Sequence, residues 1–387
     1  MSSASVAVIG GGVIGASVAY HLARRGWRDV VVFDRSGGPG HGSTGLATGG
    51  FRAQYATAIN VRLSLLARDK LGRFEDETGV DPEYSPAGYL WLAGTEAELS
   101  TLRAGQAVQH AEGLVEAVEV GPGEIAHINP ALCLDEVVGG VFCPTDGFVR
   151  PLRILEGYLA AADRLGVRVE WETEITGFSR RDDGSLSAVQ TSRGAFGVAA
   201  AVNAAGAWAG AVAGLAGVDL PVVPLRRQVA ATEPCALLPA DMPMTIFAGD
   251  GFHLRVRDGR VLLLWPTPGI PGRPWDAELE RSWVEAVVAK AHHRVPVLRR
   301  AAIDFAASWA GLYEVSPDKH AILGPAPGCP NFFLANGSSG HGVMHAPALG
   351  QLLAEIVSDG AATTLDTTPL SPSRFAEGRL NPVSELL

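Results

Sequence analysis

Gly10, Gly12 and Gly15 have the residue type and the spacing of a turn that cradles a dinucleotide pyrophosphate. An apolar run, Val6 to Ile9, precedes them, and an amphipathic stretch opening with Val13 and Ile14 follows. Gly10 allows the tight exit from a strand, Gly12 lets the backbone approach a phosphate, and Gly15 lets the helix pack closely on the sheet. The helix start turns N–H groups and the positive dipole end toward the anion. After a second apolar run, Val30 to Phe33, comes Asp34, 19 residues past Gly15, where an acid can accept hydrogen bonds from an adenosine ribose. A 2′-phosphate would be repelled there, which disfavours NADP; Arg35 stands beside it at the same edge. Glycine-rich turns are common, but here the strand before, the helix after and the acid on schedule agree.

Three more groups of small residues are spread along the chain. Gly42 to Gly50 is a loop of glycines and hydroxyls containing Ser43, Thr44, Thr48 and Gly49. Val198 to Trp208 reads as a buried strand ending in small residues, with Ala204, Gly206 and Trp208 at its tip. Phe332 to Gly342 leads through Gly340, His341 and Gly342 into a helix opening with Val343 and Met344, which runs to about Ser358 and stops at Gly360. Small residues at a strand end let backbone approach a ligand, and a helix start stabilises negative charge. An NAD enzyme would concentrate its signals in the first ~150 residues. Four sites along the whole length suit a long ligand that crosses the molecule, as extended FAD does.

On these residues the chain resembles the D-amino-acid oxidase-type flavoproteins and, within them, the sarcosine oxidase branch. The resemblance covers nearly the whole chain. Its most specific pieces are the N-terminal fingerprint, Gly42-Ser43-Thr44 with Arg52 and Tyr55 after it, Asn203 to Trp208, and Tyr313 to Asp318 followed by Gly340-His341-Gly342. It implies an α/β fold: a Rossmann-type FAD-binding domain with a doubly wound, mostly parallel sheet, and a second α+β domain with an antiparallel sheet that meets the substrate. Both are expected to be discontinuous, with 1–84, 146–217 and 311–387 binding FAD and 85–145 and 218–310 facing substrate. The implied reaction oxidises a small secondary amine or N-substituted amino acid, sarcosine-like, by hydride transfer to flavin N5. The imine then hydrolyses, and oxygen reoxidises the flavin to give hydrogen peroxide. The Ser43-Thr44 loop would lie along pyrophosphate and flavin. The Gly-His-Gly turn would face the pyrimidine edge, where a positive helix end stabilises the reduced, anionic ring. In the resembled enzymes an arginine at position 52 binds the substrate carboxylate, which a guanidinium fork matches bidentately. The bland reading of Arg52 is an ion pair between loop and helix.

The departures from that pattern carry information too. Gly311 stands where monomeric sarcosine oxidases carry the cysteine that attaches flavin, and Leu46 where dimethylglycine dehydrogenase-like relatives carry a histidine linkage. Both imply FAD held without a covalent bond. Met344 replaces the lysine that joins the carboxylate clamp, and Leu263 aligns, to within a residue or two, with the lysine that promotes reaction with oxygen. This raises an alternative: a dye-linked dehydrogenase of L-proline or another amino acid. A third reading is a flavin-carrying subunit that works only with a partner subunit. Among the histidines, His341 either touches cofactor or substrate or braces the turn, and His345 would support it. His253 stands where relatives place an aromatic residue facing substrate; His292 and His293 close a polar helix, where cations suit the dipole.

These groups need a large scaffold. The 387 residues, 47% apolar and 19% charged, can bury two cores. A net charge of −10 argues against nucleic acid. There is no apolar run of ~18 residues and no basic region ahead of the first strand, so neither a membrane span nor a signal peptide is expected, and the reading is cytoplasmic. Cys133, Cys143, Cys235 and Cys329 lack paired spacing and read as reduced thiols, with a Cys133–Cys143 disulfide as the minor alternative. No His, Cys or carboxylate grouping has metal spacing. Helices are expected at Ala58 to Thr78, Glu96 to His110, Arg153 to Leu165 and Ala277 to His293. Strands are expected at Gly88 to Leu92, Val167 to Trp171, Val222-Val223, Arg227 to Ala231, Phe252 to Val256 and Val261 to Trp265. The tail after Thr368 reads as a loosely attached end.

Overall fold

The computed structural model describes residues 2–266 and 275–383. Two eight-stranded sheets organise it. In the first, Ser2–Ile9 lies at the centre, paired in parallel with Val30–Phe33 on one side and Gly194–Asn203 on the other. Arg168–Glu170 and Cys329–Asn336 extend the parallel part outward. The central strands bury both faces, so Val6 to Ile9 and Val30 to Phe33 are continuous apolar runs rather than alternating ones. Antiparallel strands Ile175–Arg180, Leu186–Thr191 and Ile322–Ala326 complete the sheet.

Helices Val13–Arg24 and Gly342–Asp359 pack against each other beside this sheet at very short range. A Cβ on Gly350 would come 2.1 Å from the Ser17 hydroxyl, which itself donates to the Ala346 carbonyl. Gly350 is therefore what permits the approach. Gly360, at φ +83°, ends the second helix in the left-handed conformation that glycine adopts without strain.

The second sheet runs in the order Trp309–Val315, Val223–Ala231, Arg260–Leu264, His253–Arg257, Met244–Phe247, Tyr89–Ala93, Gly139–Cys143, Val118–Val120. It is antiparallel except where Met244–Phe247 meets Tyr89–Ala93 in parallel. Those two strands come from separate visits of the chain and share no hairpin. Its outer face packs on helix Arg281–Arg294.

Several elements differ from expectation. The helix at Ala58 ends at Leu71, and a short one, Phe74–Thr78, follows the break at Gly72. Val222-Val223 and Arg227 to Ala231 belong to one strand, Val223–Ala231, because Pro224 sits where a strand tolerates it, without breaking the pairing with Trp309–Val315. The latter strand crosses residue 311, so sheet membership places 311–315 with the second sheet. All four cysteines are free thiols. No helix among the described residues is long and apolar enough to cross a membrane.

The tail is not loosely attached. Arg374 is fully buried and forks onto Asp318 at 2.8 and 2.9 Å, while Asn381 donates to the same carboxylate through backbone and side chain. A polar, proline-rich segment hides this from composition, because its anchor is one charge pair rather than an apolar face.

Candidate active site

A cavity of about 600 Å³ runs between the two sheets. The candidate residues named from the sequence lie on its wall except Gly15, which packs beneath the turn, His345 and Leu263. Gly10 has φ +106°, and a Cβ there would lie 2.3 Å from the Ala204 carbonyl. A Cβ on Gly15 would lie 1.9 Å from the Gly10 carbonyl. The turn thus requires glycine at both positions for close approach. Asp34 accepts from Gly11 N–H at 2.7 Å and from Ser36 through backbone and hydroxyl, so its carboxylate is braced at the strand end. The N-cap residue of helix Val13–Arg24 is Gly12, which supplies no side-chain cap of its own. Thr44 accepts from Val13 N–H at 3.1 Å, tying the Ser-Thr loop to the helix start.

The second sheet holds the other end of that loop. Ser43 Oγ donates to the Leu312 carbonyl at 2.6 Å, and Trp309 Nε1 donates to the Leu46 carbonyl at 2.9 Å. Arg257 donates to the Ala47 carbonyl and Arg255 to the Thr48 carbonyl, at 3.0 and 2.7 Å. Arg255 is buried against the Phe148 ring, and burial lowers its guanidinium to about 10. Neither guanidinium was anticipated, because each holds a carbonyl more than 200 positions away in the chain. At the far end Trp208 lies between Arg35, 4.0 Å from its ring centre, and Trp275, stacked at 5.5 Å.

Cross-strand register decides which side chains of the second sheet face the cavity. Trp309, Val229, Leu264, His253 and Ile246 are successive Cα partners, and all five line it. Ala230, Leu263 and Leu254 form the neighbouring row, whose side chains pack in the core on the opposite face. On this strand Leu264 faces the cavity and Leu263 does not. The one-residue shift turns the side chain to the other face, as period-two geometry demands. Either way an apolar residue is present.

Arg52 is 4% exposed and makes no ion pair among the described residues, which excludes the loop-to-helix pair. Its guanidinium lies 4.2 Å from the centre of the Tyr55 ring and 5.2 Å from that of Trp91, and donates to the Gln54 carbonyl at 3.1 Å. Asp146, wholly buried, accepts from Ala53 N–H and from the Gln54 backbone and side-chain amides. Burial raises its carboxyl to about 6 against those bonds. It orients the segment carrying Arg52, and nothing in its sequence neighbourhood marks it.

The hydrogen bonds fix the histidine tautomers. His341 Nε2 lies 3.3 Å from Arg52 Nη2; a guanidinium only donates, so Nε2 is the acceptor and Nδ1 holds the proton. Burial, then the adjacent Arg52 charge, hold the ring neutral. His341 thus links its turn to Arg52 while also lining the cavity. His345, which burial lowers to about 3, meets Ser64 Oγ at 2.9 Å and lies behind it. His253 Nδ1 donates to the Gly251 carbonyl at 2.8 Å, leaving Nε2 a lone-pair acceptor; burial lowers this ring to about 4. Tyr55 donates to the Met344 sulfur at 3.2 Å, so Met344 packs against the aromatic group beneath Arg52.

Gly311 and Leu46 meet. A Cβ on Gly311 would lie 3.3 Å from the Leu46 side chain, so the two positions at which the resemblance would put a flavin-linking side chain share one spot, filled by a group that cannot form such a bond. Acid precipitation is expected to leave free FAD in the supernatant. A flavin-bearing peptide in the pellet, read by mass spectrometry, would contradict this.

Comparison with known proteins agrees with this geometry. Glycine oxidase of Geobacillus kaustophilus (strain HTA426) is 30% identical over 380 residues, covering 95% of this chain and 96% of its own. Dimethylglycine dehydrogenase of Mus musculus is 28% identical over 97% of this chain, which spans only 44% of that protein's length. Among solved structures, L-proline dehydrogenase from P. horikoshii superposes with a TM-score of 0.91 at 27% identity, covering 98% of this chain and all of the other. The glycines that a Cβ would block, the glycine N-cap of the first helix and the braced Asp34 fit FAD, the cofactor of these flavoproteins. The model of the FAD dependent oxidoreductase family, DAO, matches residues 5–356, and the chain belongs to that family.

Proposed function

We propose that this enzyme oxidises a small amino acid at the carbon beside a secondary or N-substituted amine, sarcosine-like. The observation that carries this is Arg52: a buried guanidinium on the cavity wall, packed on two aromatic rings, with no carboxylate paired to it among the described residues. Burying a charge alone is costly, and a substrate carboxylate in bidentate contact offsets that cost while fixing orientation. His253 Nε2 then accepts a hydrogen bond from the amine N–H, which places the neighbouring carbon. The cationic wall disfavours a bound ammonium and so favours the neutral amine, whose lone pair the oxidation requires. Trp309, Leu264 and Ile246 exclude water from that end. FAD supplies the hydride acceptor, N5, which the substrate carbon must approach to about 3–3.5 Å.

Leu264 and Met344 favour the dehydrogenase reading, because a nearby positive charge that stabilises developing superoxide speeds reaction with oxygen, and neither supplies one. Reduction by substrate is expected to outpace reoxidation by air, with some hydrogen peroxide formed and a redox dye raising turnover. The test is anaerobic mixing of the holoenzyme with a panel of amino and imino acids while flavin absorbance is followed, then admission of air. Bleaching by sarcosine- or proline-like acids supports the proposal. Bleaching by amines that lack a carboxylate overturns it, and reoxidation faster than reduction overturns the dehydrogenase reading.

A further inference from the structure

Polar atoms without a partner among the described residues collect at one spot of the cavity wall. Glu314 and Ser338 both line the cavity, and both are buried. Glu314 Oε1 accepts from Ser338 N–H at 3.3 Å, whereas Glu314 Oε2 and Ser338 Oγ have no hydrogen-bond partner among the described residues. The Ser338 hydroxyl is close enough to draw on the Glu314 carboxyl but lies outside hydrogen-bond geometry. Burial pushes that carboxyl up to about 7, against the pull of the Ser338 and Gly337 N–H groups. Asn336, two residues before Ser338, buries both polar atoms of its side-chain amide without a partner among the described residues. Buried donors and acceptors are costly to leave unmatched, so such a group of atoms marks a place where a ligand or ordered water makes the missing bonds.

The spot lies where the glycine-rich pieces of the chain converge. Ser43 of the Ser-Thr loop donates to the Leu312 carbonyl, two residues before Glu314 on strand Trp309–Val315. Ser339 N–H donates to the Glu314 carbonyl at 2.8 Å, which fastens the approach to the Gly-His-Gly turn onto the same strand. A Cβ on Gly342, the first residue of helix Gly342–Asp359, would come 3.4 Å from Ser338 Cβ and 3.4 Å from Ile14 Cδ1, in the first turn of helix Val13–Arg24. Ser338, with Glu314 against it, is therefore at the meeting of the two helix starts.

We propose that Glu314 and Ser338 bind the ribityl chain of FAD, with Glu314 Oε2 accepting a hydrogen bond from one of its hydroxyls and Ser338 Oγ pairing with another. In FAD that chain joins the pyrophosphate to the ring. With the pyrophosphate at the first helix start and the ring toward the second, where His341 reaches Arg52, the chain passes this spot. It carries a row of hydroxyls, each of which needs a partner once buried. Ordered water is the competing occupant, and it would satisfy the same atoms without distinguishing one flavin from another.

Cofactor exchange tests this without turnover. Holoenzyme is equilibrated with equimolar mixtures of FAD and its 2′-, 3′- or 4′-deoxyribityl analogue, and the flavins retained after gel filtration are quantified by chromatography. Native enzyme is expected to prefer FAD over at least one of these analogues by roughly tenfold or more. Glu314→Leu should bring that preference within about threefold. Glu314→Gln, which keeps an acceptor oxygen, and Ser338→Ala should each retain part of it. Selectivity against FAD altered only in the adenosine ribose should be the same in native enzyme and in Glu314→Leu. Native preferences all within about threefold, or native preferences preserved in Glu314→Leu, would overturn the proposal and leave these atoms to ordered water. Equal loss of selectivity at both ends of the cofactor in Glu314→Leu would be a general loosening and would overturn it too. Should Glu314→Leu fail to retain flavin, the native preferences together with Glu314→Gln and Ser338→Ala decide.

Discussion

Arg52→Met is expected to raise the dissociation constant of a carboxylate substrate or analogue by ten- to a hundredfold while the flavin spectrum stays close to native. A charge-assisted hydrogen bond contributes about 1.5–3 kcal/mol, and about 1.4 kcal/mol is a factor of ten in affinity. The side chain is buried and makes no ion pair among the described residues, so no carboxylate among them competes with the substrate for it. Methionine keeps much of the aliphatic volume against Tyr55 and Trp91 and removes only charge and donors. Arg52→Lys should give an intermediate loss, since an ammonium keeps the charge without the planar fork. Stopped-flow reduction at varied substrate concentration separates binding from the chemical step. A dissociation constant within twofold of native would remove Arg52 from the carboxylate site, and with it the proposed substrate class.

How far the sequence carried the site depended on the kind of signal each residue gave. Gly10, Gly15 and Asp34 are tied to one local element whose spacing is nearly invariant under physics: a strand, a tight turn and a helix start allow few alternatives. Their placement on the cavity could be read directly. Asp146 and Arg255 act at long range. One arranges residues 92 and 93 positions away in the chain, and the other holds a carbonyl 207 positions away. No local pattern encodes such a contact, and both look like ordinary charged residues near a turn or on a strand. The facing of Leu263 was hidden for a different reason. In a strand flanked by apolar residues on both faces, alternation disappears, so Val261 to Leu264 gave no sign of which side faced the cavity. His253 was singled out only through the resemblance, at a position where relatives place an aromatic residue, and cross-strand register puts it on the cavity wall. The contact between His341 and Arg52 spans 289 positions, so no local pattern encodes it either.

The tail gives the second large effect. Arg374→Ala is expected to destabilise the fold by about 3–5 kcal/mol, the cost of leaving one partner of a buried ion pair uncompensated. At ~2.1 cal/mol/K of unfolding entropy per residue, this lowers the thermal midpoint by roughly 4–6 °C. Both side chains are fully buried, and Arg374 also donates to the Leu370 and His320 carbonyls, so water cannot readily replace it. Replacing both partners together, as in Asp318→Leu with Arg374→Met, should cost less than the single change, because no buried charge remains. Burial by itself would raise the Asp318 carboxyl, but the Arg374 guanidinium and Asn381 hold it well below the usual carboxylate range. The sign follows from linkage. A depressed acid stabilises the fold above its unfolded value of about 3.9, and that contribution is lost as pH falls toward the folded value. The turn that Asp318 orders carries Lys319 and His320 on the cavity wall, and His320 Nε2 meets Thr57 Oγ1 at 2.9 Å. Loss of Arg374 should therefore make flavin release begin at a lower temperature than in the native protein, measurable as the rise of free-flavin fluorescence on heating. A single variant as stable as native between pH 6 and 8 would show that Asn381 and the surrounding carbonyls, not the ion pair, hold the tail in place.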